Sequence, residues 1–182
     1  MTDTPQTPEE QEPPAEGEVP ERQLPEQAVL RALIEPFENV EWAPSGNQDV
    51  AVVPKAELRD FARAAREAGF ELCMDVTAVD YLRARRVRFE VVANLLSHQH
   101  NLRLRVRVPV PADDPEVPSL VPVYPGTNFF EREVYDMFGI LFEGHPDMTR
   151  ILMPDDWVGY PLRKDFATGQ VPVQFKGAHK VS

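Results

Sequence analysis

The spacing of hydrophobic residues over residues 27–68 predicts a helix, a strand and a second helix. The first helix has four apolar residues at helical spacing before Pro36 ends the pattern: Leu30, Leu33, Ile34 and Phe37. Residues 49–53 form a short apolar strand. Residues 55–68 predict the second helix, and its apolar face consists of Leu58, Phe61, Ala62 and Ala65. Gly69 follows at the position of a C-terminal cap, so this helix is expected to end there.

Three further strands are indicated by alternation of apolar and polar residues. In the first, one face is formed by Leu72, Met74, Val76 and Ala78. Residues 86–96 are mostly apolar and read as a central strand, and residues 101–110 alternate strictly. The short connections at residues 82–85 and 97–101 favour antiparallel hairpins. The expected fold class is therefore α+β, with a mixed or antiparallel sheet of about four strands and helices mainly on one face.

Residues 127–166, called the signature segment here, open with a helical pattern. Asn128 and Glu131 have the spacing of a capping box. One apolar face follows, formed by Phe130, Val134, Met137 and Phe138. Arg132 and Asp136 lie four residues apart and are expected to pair on the other face.

The signature segment then loses its helical pattern. Gly139 stands where a left-handed C-terminal cap would lie. Helix and strand are interrupted every few residues by Gly144, Pro146, Pro154, Gly159 and Pro161. Such a charged loop either packs on its own domain or forms a recognition surface for partner proteins, and the spacing alone does not distinguish the two.

Charge is distributed unevenly along the 182 residues, whose net charge is −11. Residues 1–26 hold eight acids and only Arg22 as a base, a net of −7, which leaves −4 for the rest. Four segments are predicted: a disordered acidic Pro/Glu-rich leader at 1–26, an α+β domain at 27–126, the signature segment, and an extended tail at 167–182. The alternative for the leader is an acidic arm that binds a partner.

Several classes of function are disfavoured by composition. Cys73 is the only cysteine, so the chain forms no intrachain disulfide and lacks the four thiolates of a usual iron–sulfur cluster. No apolar run approaches the roughly 20 residues of a membrane-spanning helix, and the N-terminus lacks the features of a secretory signal. Membrane association is expected only through other proteins.

The main basic patch is the outward row of Arg103, Arg105 and Arg107. Nucleic-acid binding would require a basic domain with exposed aromatic residues between the arginines, and the chain has neither. We expect a solvated or protein-facing sheet surface, in which Glu90 could face one of these arginines across the strands.

Catalytic and metal-binding patterns are weak. His98 and His100 would share a face if their strand continued, which leaves a stand-alone metal enzyme as an alternative, although no third ligand is evident. Glu131 and Glu133 point about 200° apart on a helix and cannot act on one bond. The nucleophile elbow, the Walker loop and G-x-G-x-x-G are absent from the sequence.

Three runs in the signature segment, EREVYDMFGILFEGHPD, RILMPDDW and PLRKDF, resemble the signature of the 30 kDa subunit family, also designated C, of the proton-translocating NADH–quinone oxidoreductase, respiratory complex I. The closing VPVQFKG is similar to the actinobacterial type. One departure is Tyr160, where the family commonly has a basic or polar residue. The family's domain is expected to cover the chain from about Gln27 onward.

The resemblance implies a non-catalytic, cofactor-free structural subunit of the peripheral arm, on the cytoplasmic side of the cell membrane. FMN and the iron–sulfur clusters would lie in partner subunits, and the neighbours would be the quinone-site and iron–sulfur subunits. The whole assembly would pass electrons from NADH to quinone and translocate protons. A related membrane-bound hydrogenase or quinone reductase that reuses this subunit is an alternative.

The resemblance also implies a partner interface in the signature segment. Its expected residues are Glu131, Arg132, Asp136, His145, Asp147, Arg150, Arg163, Lys164 and Asp165. Some of these charges could instead form an internal network that shapes the loop, and the sequence leaves this alternative open.

Overall fold

The computed structural model describes residues 23–167. Its helices are α1 (Ala28–Ile34), α2 (Leu58–Glu67) and α3 (Asn128–Phe138). Its strands are β1 (Glu41–Trp42), β2 (Asp49–Val52), β3 (Leu72–Asp80), β4 (Phe89–Ser97), β5 (Leu102–Val110), β6 (Glu116–Pro118) and β7 (Leu141–Glu143). Most of the predicted leader and tail therefore lies outside the described residues. Leu24, assigned to the leader, packs against the core.

The main sheet has five strands in the order β1-β2-β5-β4-β3. The β2–β5 pair is parallel and the other pairs are antiparallel, so the sheet is mixed. The expected hairpins between β3, β4 and β5 are confirmed. The predicted four strands missed β1, because a strand of two residues carries no detectable alternation. A second, parallel sheet of β6 and β7 was not predicted either.

One face of the main sheet forms the core together with the three helices. On β4 this face carries Phe89, Val91, Ala93 and Leu95, and on β5 it carries Leu104, Val106, Val108 and Val110. Phe61 of α2 and Val134 of α3 belong to the same buried cluster. The opposite face carries the arginine row of β5. The predicted α+β class, with helices mainly on one face, is confirmed.

A β-bulge in β3 corrects the predicted facing of its first residues. The register of β3 on β4 shifts between Cys73 and Asp75. Such a bulge adds one residue and reverses the side to which the preceding side chains point. Leu72 and Met74 are therefore 43% and 39% exposed, whereas Cys73 is buried. The sequence pattern, which placed Leu72 and Met74 with Val76 and Ala78, was wrong at this end of the strand.

Candidate functional site

The start of α3 differs from the predicted capping box. The Glu131 side chain is fully buried, and among the described residues the only backbone amide that donates to its carboxylate is that of Leu120, outside the helix. Its carboxylate accepts hydrogen bonds from the Thr127 and Ser119 hydroxyls at 2.9 and 2.7 Å and from the Leu120 amide at 2.7 Å. Burial raises the pKa of Glu131 despite these donors. Glu131 thus connects α3 to the loop that follows β6.

The second buried carboxylate of α3, Asp136, holds the loop that follows the helix. It accepts hydrogen bonds from the Arg150 guanidinium at 2.5 Å and from the backbone amides of Ile151, Leu152 and Met153 at 3.1, 2.8 and 2.8 Å. Burial alone would raise the pKa of Asp136, but the amides and the guanidinium offset it and hold the pKa below its usual value. Asp136 therefore ties the start of this stretch, residues 150–153, to the helix.

The predicted pair between Arg132 and Asp136 does not form. Arg132 instead donates to the carbonyl oxygens of Thr149 and Arg150, both at 3.1 Å. The helical spacing of the pair was correct, but three amides and Arg150 already satisfy the buried Asp136 carboxylate. Arg132 therefore binds the backbone of the same loop, just before the residues that Asp136 holds.

Residues 150–162, called the anchored loop here, follow β7 and are held by Asp136 at their start. This loop exposes apolar side chains. Four of them, called the apolar loop patch here, are Ile151, Leu152, Val158 and Leu162, which are 37%, 56%, 87% and 54% exposed. The backbone amides of Ile151 and Leu152 donate to Asp136, so this carboxylate fixes the backbone that carries these two side chains. An ordered loop with exposed large apolar groups is typical of a protein-interaction surface.

Arg163 closes the C-terminal end of α3. Gly139 adopts the left-handed conformation, with a φ of 70°, as predicted. Arg163 donates to the carbonyl oxygens of Phe138 and Gly139 at 2.5 and 3.4 Å. Its guanidinium also lies 4.5 Å from the centre of the Tyr160 ring. A cation at this position stabilises the free carbonyls of a helix end.

The end of the signature segment is attached to the main sheet through Asp80. This buried carboxylate accepts two hydrogen bonds from Arg88, at 3.0 and 2.9 Å, and one from the Lys164 amide at 2.9 Å. Arg88 also donates to Asp165 at 2.7 Å. Sequence reasoning missed Asp80 and Arg88, because they are more than 70 positions from the residues that they hold and no local pattern marks them.

The Asp80 cluster predicts a loss of stability in acid. Burial disfavours the charged form, but Arg88 and the amides of Lys164 and Leu82 lower the pKa of Asp80 to about 2 from 3.8. The pKa of Asp80 is lower in the folded chain than in the unfolded chain. The ionised carboxylate therefore stabilises the fold above about pH 4, and this stabilisation is lost as the pH falls toward 2. It amounts to about 2 kcal/mol at neutral pH.

We therefore expect Asp80→Asn to flatten the change in unfolding free energy between pH 5 and pH 3, measured by urea titration. Asp60→Asn is the matched control, since the Asp60 side chain is 71% exposed on α2. Equal acid dependence in the Asp80 variant and the wild type would contradict this prediction.

His145 and Asp147 form a local turn. The His145 ring accepts the Asp147 amide at Nδ1, at 3.0 Å, and Nε2 lies 3.2 Å from the Asn128 carbonyl oxygen. Nδ1 is therefore the acceptor in the contact with the Asp147 amide, and Nε2 is placed to donate to the Asn128 carbonyl oxygen. The histidine thus connects the loop to the first turn of α3.

The premise of the His98–His100 metal pair is wrong. β4 ends at Ser97, so both histidines lie in the turn rather than on one strand face. His98 binds the Glu71 carboxylate through its amide and its ring. Within residues 23–167, no group of three or more His, Cys, Asp or Glu side chains could hold a metal ion.

The prediction that Glu90 faces an arginine across the strands is confirmed. Arg107 donates to both carboxylate oxygens of Glu90, at 2.8 and 2.5 Å, and Arg85 donates at 3.1 Å. The row of three arginines is thus partly neutralised on the open face of the sheet.

The nine predicted interface residues differ in how they contact their own chain. Glu131 and Asp136 are fully buried, and Arg150 and Arg163 bind α3, so these four side chains contact their own domain. Arg132 and His145 contact backbone carbonyls, and Lys164 and Asp165 join the Asp80–Arg88 cluster. Asp147 is exposed. Contact of any of the nine with a partner stays a prediction.

Most of the sheet, α3 and the loop that follows it lie in one stretch that matches a known protein family. Residues 51–171 match the family described as the 30 kDa subunit of respiratory-chain NADH dehydrogenase. The chain belongs to this family, and the resemblance seen in the signature segment is confirmed.

Individual relatives carry a more specific name. The chain is 55% identical to the NADH-quinone oxidoreductase subunit designated C of Nocardioides sp. over 127 residues, which are 69% of this chain and 49% of that protein. It is 42% identical to the same subunit of Saccharopolyspora erythraea over 161 residues, 87% of this chain and 61% of that protein. The chain spans about half the length of most of the curated relatives it matches.

Two solved structures resemble the fold. The trypsin-resistant fragment of Nqo5 matches with a TM-score of 0.61 and 34% identity, over 65% of this chain and 98% of the fragment. A chain of the membrane-bound sulfane sulfur reductase, an archaeal respiratory membrane complex, matches with a TM-score of 0.68 and 29% identity, over 77% of this chain and 84% of that one. In the described part of our chain, no helix is long and apolar enough to cross a membrane.

Proposed function

We propose that the chain is the 30 kDa component, designated C, of an NADH–quinone oxidoreductase in which electron transfer from NADH to quinone drives proton translocation. The observation that carries this proposal is the family match over residues 51–171, which includes most of the sheet and the whole signature segment. The names of relatives that are 42–55% identical support it.

In this proposal the chain has a structural role and holds no cofactor. FMN and the iron–sulfur clusters belong to partner subunits, and the chain packs against the subunits that form the quinone site and carry iron–sulfur clusters. The assembly places it at the membrane periphery on the cytoplasmic side, so its attachment to the membrane is made through those partners.

The apolar loop patch is the part of the chain that we assign to partner contact. Asp136 fixes residues 151–153, and Arg150 donates to the Gly159 carbonyl oxygen at 3.3 Å, so both stretches that bear the patch are ordered by buried charges. Ordering before association reduces the entropy that is lost when the partner binds. The buried charges thus position the patch, and the apolar side chains make the contact.

The proposal is tested by tagging the chain in its native host, extracting membranes in mild detergent and sizing the proteins that co-purify. We expect a large assembly that oxidises NADH and reduces quinone. A chain that elutes alone would refute the proposal.

A second candidate follows from the likeness to a chain of the sulfane sulfur reductase complex. In that case the chain would serve another membrane-bound reductase. The identity to that chain is 29%, lower than the 42–55% identity to the NADH-quinone oxidoreductase relatives, so this is the weaker candidate. An assembly that contains the chain but does not accept electrons from NADH would favour it.

Charged substitutions in the apolar loop patch should impair assembly without unfolding the chain. Leu152→Asp and Val158→Asp each place a carboxylate in the expected contact. Association would bury this charge without a partner, and its desolvation costs more free energy than the neighbouring apolar contacts contribute. We expect at least a fivefold drop in the fraction of the chain that co-purifies with the assembly, while the melting temperature stays within about 3 °C of the wild type.

Leu72→Asp is the matched control for these variants. Leu72 is 43% exposed on the edge strand β3, and it lies at the opposite end of that strand from Asp80. If both loop variants were fully incorporated into the assembly, the apolar loop patch would not be part of the interface. The family assignment would be unaffected.

A further inference from the structure

The open face of the main sheet contains a groove of about 480 Å³ beside the start of β5. Its walls include Asn47, Asp49, Met74, Asn94, Arg103 and Arg105, and we call it the arginine groove. Arg103 and Arg105 are alternate residues of one strand, so their side chains project on the same side. Its described lining residues include none from the signature segment, so the groove takes no part in the role proposed above.

Arg105 is held in place by a relay across the sheet. Asn94 donates to the Asp75 carboxylate at 2.7 Å, which orients its amide so that the amide oxygen accepts Nε of Arg105 at 3.1 Å. This contact uses Nε, so the terminal amino groups of the guanidinium can still bind a carboxylate. Arg107, by contrast, already binds both oxygens of Glu90.

The described chain begins next to this groove. Gln23 and Leu24 line a neighbouring hollow of about 420 Å³, and Asp49 belongs to the walls of both. Asp49 pairs with Leu104 across β2 and β5, between the two groove arginines in sequence. Gln23, where the described chain starts, therefore lies close to the arginine groove.

Residues 1–22 have the charge that the groove lacks. They contain seven acids, Asp3, Glu9, Glu10, Glu12, Glu16, Glu18 and Glu21, against Arg22 alone. Glu10 and Glu12 are two residues apart, as are Glu16 and Glu18, which is the spacing of Arg103 and Arg105. The only acid in the groove wall is Asp49, opposed by two arginines.

We propose that the arginine groove binds the carboxylates of residues 1–22 of the same chain. A stretch of this length reaches up to about 70 Å, so its attachment point beside the groove leaves ample length. Tethering supplies an effective concentration on the order of millimolar, at which a weak, salt-sensitive contact is populated. The groove is thereby occupied by the chain itself, and an acidic segment of another protein must displace residues 1–22 to use it.

The test is paramagnetic relaxation in the full-length chain. A nitroxide attached to the cysteine of an Ala15→Cys variant lies between the two glutamate pairs, and native Cys73 is buried. At 20 mM salt we expect the Arg103 and Arg105 amide signals to lose at least three times as much intensity as those of Arg83 and Arg86. At 0.5 M salt this difference should fall by more than half, because exposed charges are screened.

Variants distinguish this contact from unspecific attraction. Arg103→Gln with Arg105→Gln should abolish the excess broadening, and Arg103→Gln alone should reduce it while leaving the relay to Asn94 intact. The control is Arg83→Gln with Arg86→Gln, two exposed arginines in the β3–β4 turn with the same change in charge. This control should broaden like the wild type.

Two outcomes would overturn the proposal. Equal broadening at the groove and at the β3–β4 turn would show that residues 1–22 do not select the groove. In a mixture of spin-labelled chain without ¹⁵N and ¹⁵N-enriched chain without the label, only contacts between molecules broaden the signals. Broadening in that mixture as strong as in the doubly labelled chain would assign the occupant to a second copy. The proposed role in the oxidoreductase does not depend on either result.

Discussion

Replacing Asp136 with alanine is expected to lower the free energy of unfolding by about 3–5 kcal/mol, because it leaves a buried guanidinium without its partner. The side chain has no exposed surface, and Arg150, its ion-pair partner, is only 15% exposed. The same change leaves three backbone amides at residues 151–153 without an acceptor. We expect faster hydrogen exchange at these amides and loss of the chain from the assembly.

The measurement is urea unfolding followed by tryptophan fluorescence, with co-purification measured in parallel. Asp147→Ala is the matched control, since Asp147 lies in the same segment but is exposed. The control should stay within about 0.5 kcal/mol of the wild type. An Asp136 variant that unfolds like the control would show that the loop does not depend on this carboxylate.

Gly139→Ala is expected to be the second most damaging substitution, at about 2–5 kcal/mol from backbone strain and overpacking together. At a φ of 70°, a Cβ atom on residue 139 would lie 2.4 Å from Cε2 of Tyr160 and 2.7 Å from a terminal nitrogen of Arg163. Both side chains would have to move, and Arg163 would lose its contacts with the end of α3. The free energy of unfolding measures the effect.

A second glycine separates the two causes of this loss. Gly46 has a φ of 60°, but a Cβ atom there would meet nothing within 4 Å. Gly46→Ala should therefore cost only the backbone strain, about 1–2 kcal/mol. If both variants lose the same stability, the contact with Tyr160 and Arg163 contributes nothing and the packing argument fails.

Three carboxylates explain why a segment rich in glycine and proline has one conformation. Glu131 holds the loop before α3, Asp136 holds the loop after it, and Asp80 holds the last residues of the segment. Each accepts backbone amides that would otherwise be unpaired in a stretch without regular structure. The segment is therefore ordered by polar contacts, which leaves its large apolar side chains free to face outward.

Some of this organisation could be predicted from local sequence. The apolar spacing of Leu58, Phe61 and Ala65 predicted α2, because helix periodicity acts over a few residues. Gly139 could be predicted as a left-handed cap, because it follows the last apolar position of α3. The rare residue orders of the signature segment identified the family.

The partners of the charged residues could not be predicted, and Arg132 with Asp136 shows why. Four residues apart on a helix, the two satisfy the local rule for an ion pair. In the folded chain, Asp136 instead meets Arg150 and the amides of residues 151–153, because the loop folds back on the helix. A buried carboxylate takes the donors that surround it in three dimensions, and the helix rule does not include them.

The sequence by itself thus determined the helices, the long strands, the α+β class and the family, since each rests on periodicity or on residue order. Only the tertiary structure decided the bulge that exposes Met74, the burial of Glu131 and the role of Asp80. The physical reason is range: periodicity is a property of neighbouring residues, whereas burial and charge pairing depend on segments that meet only after the chain has folded.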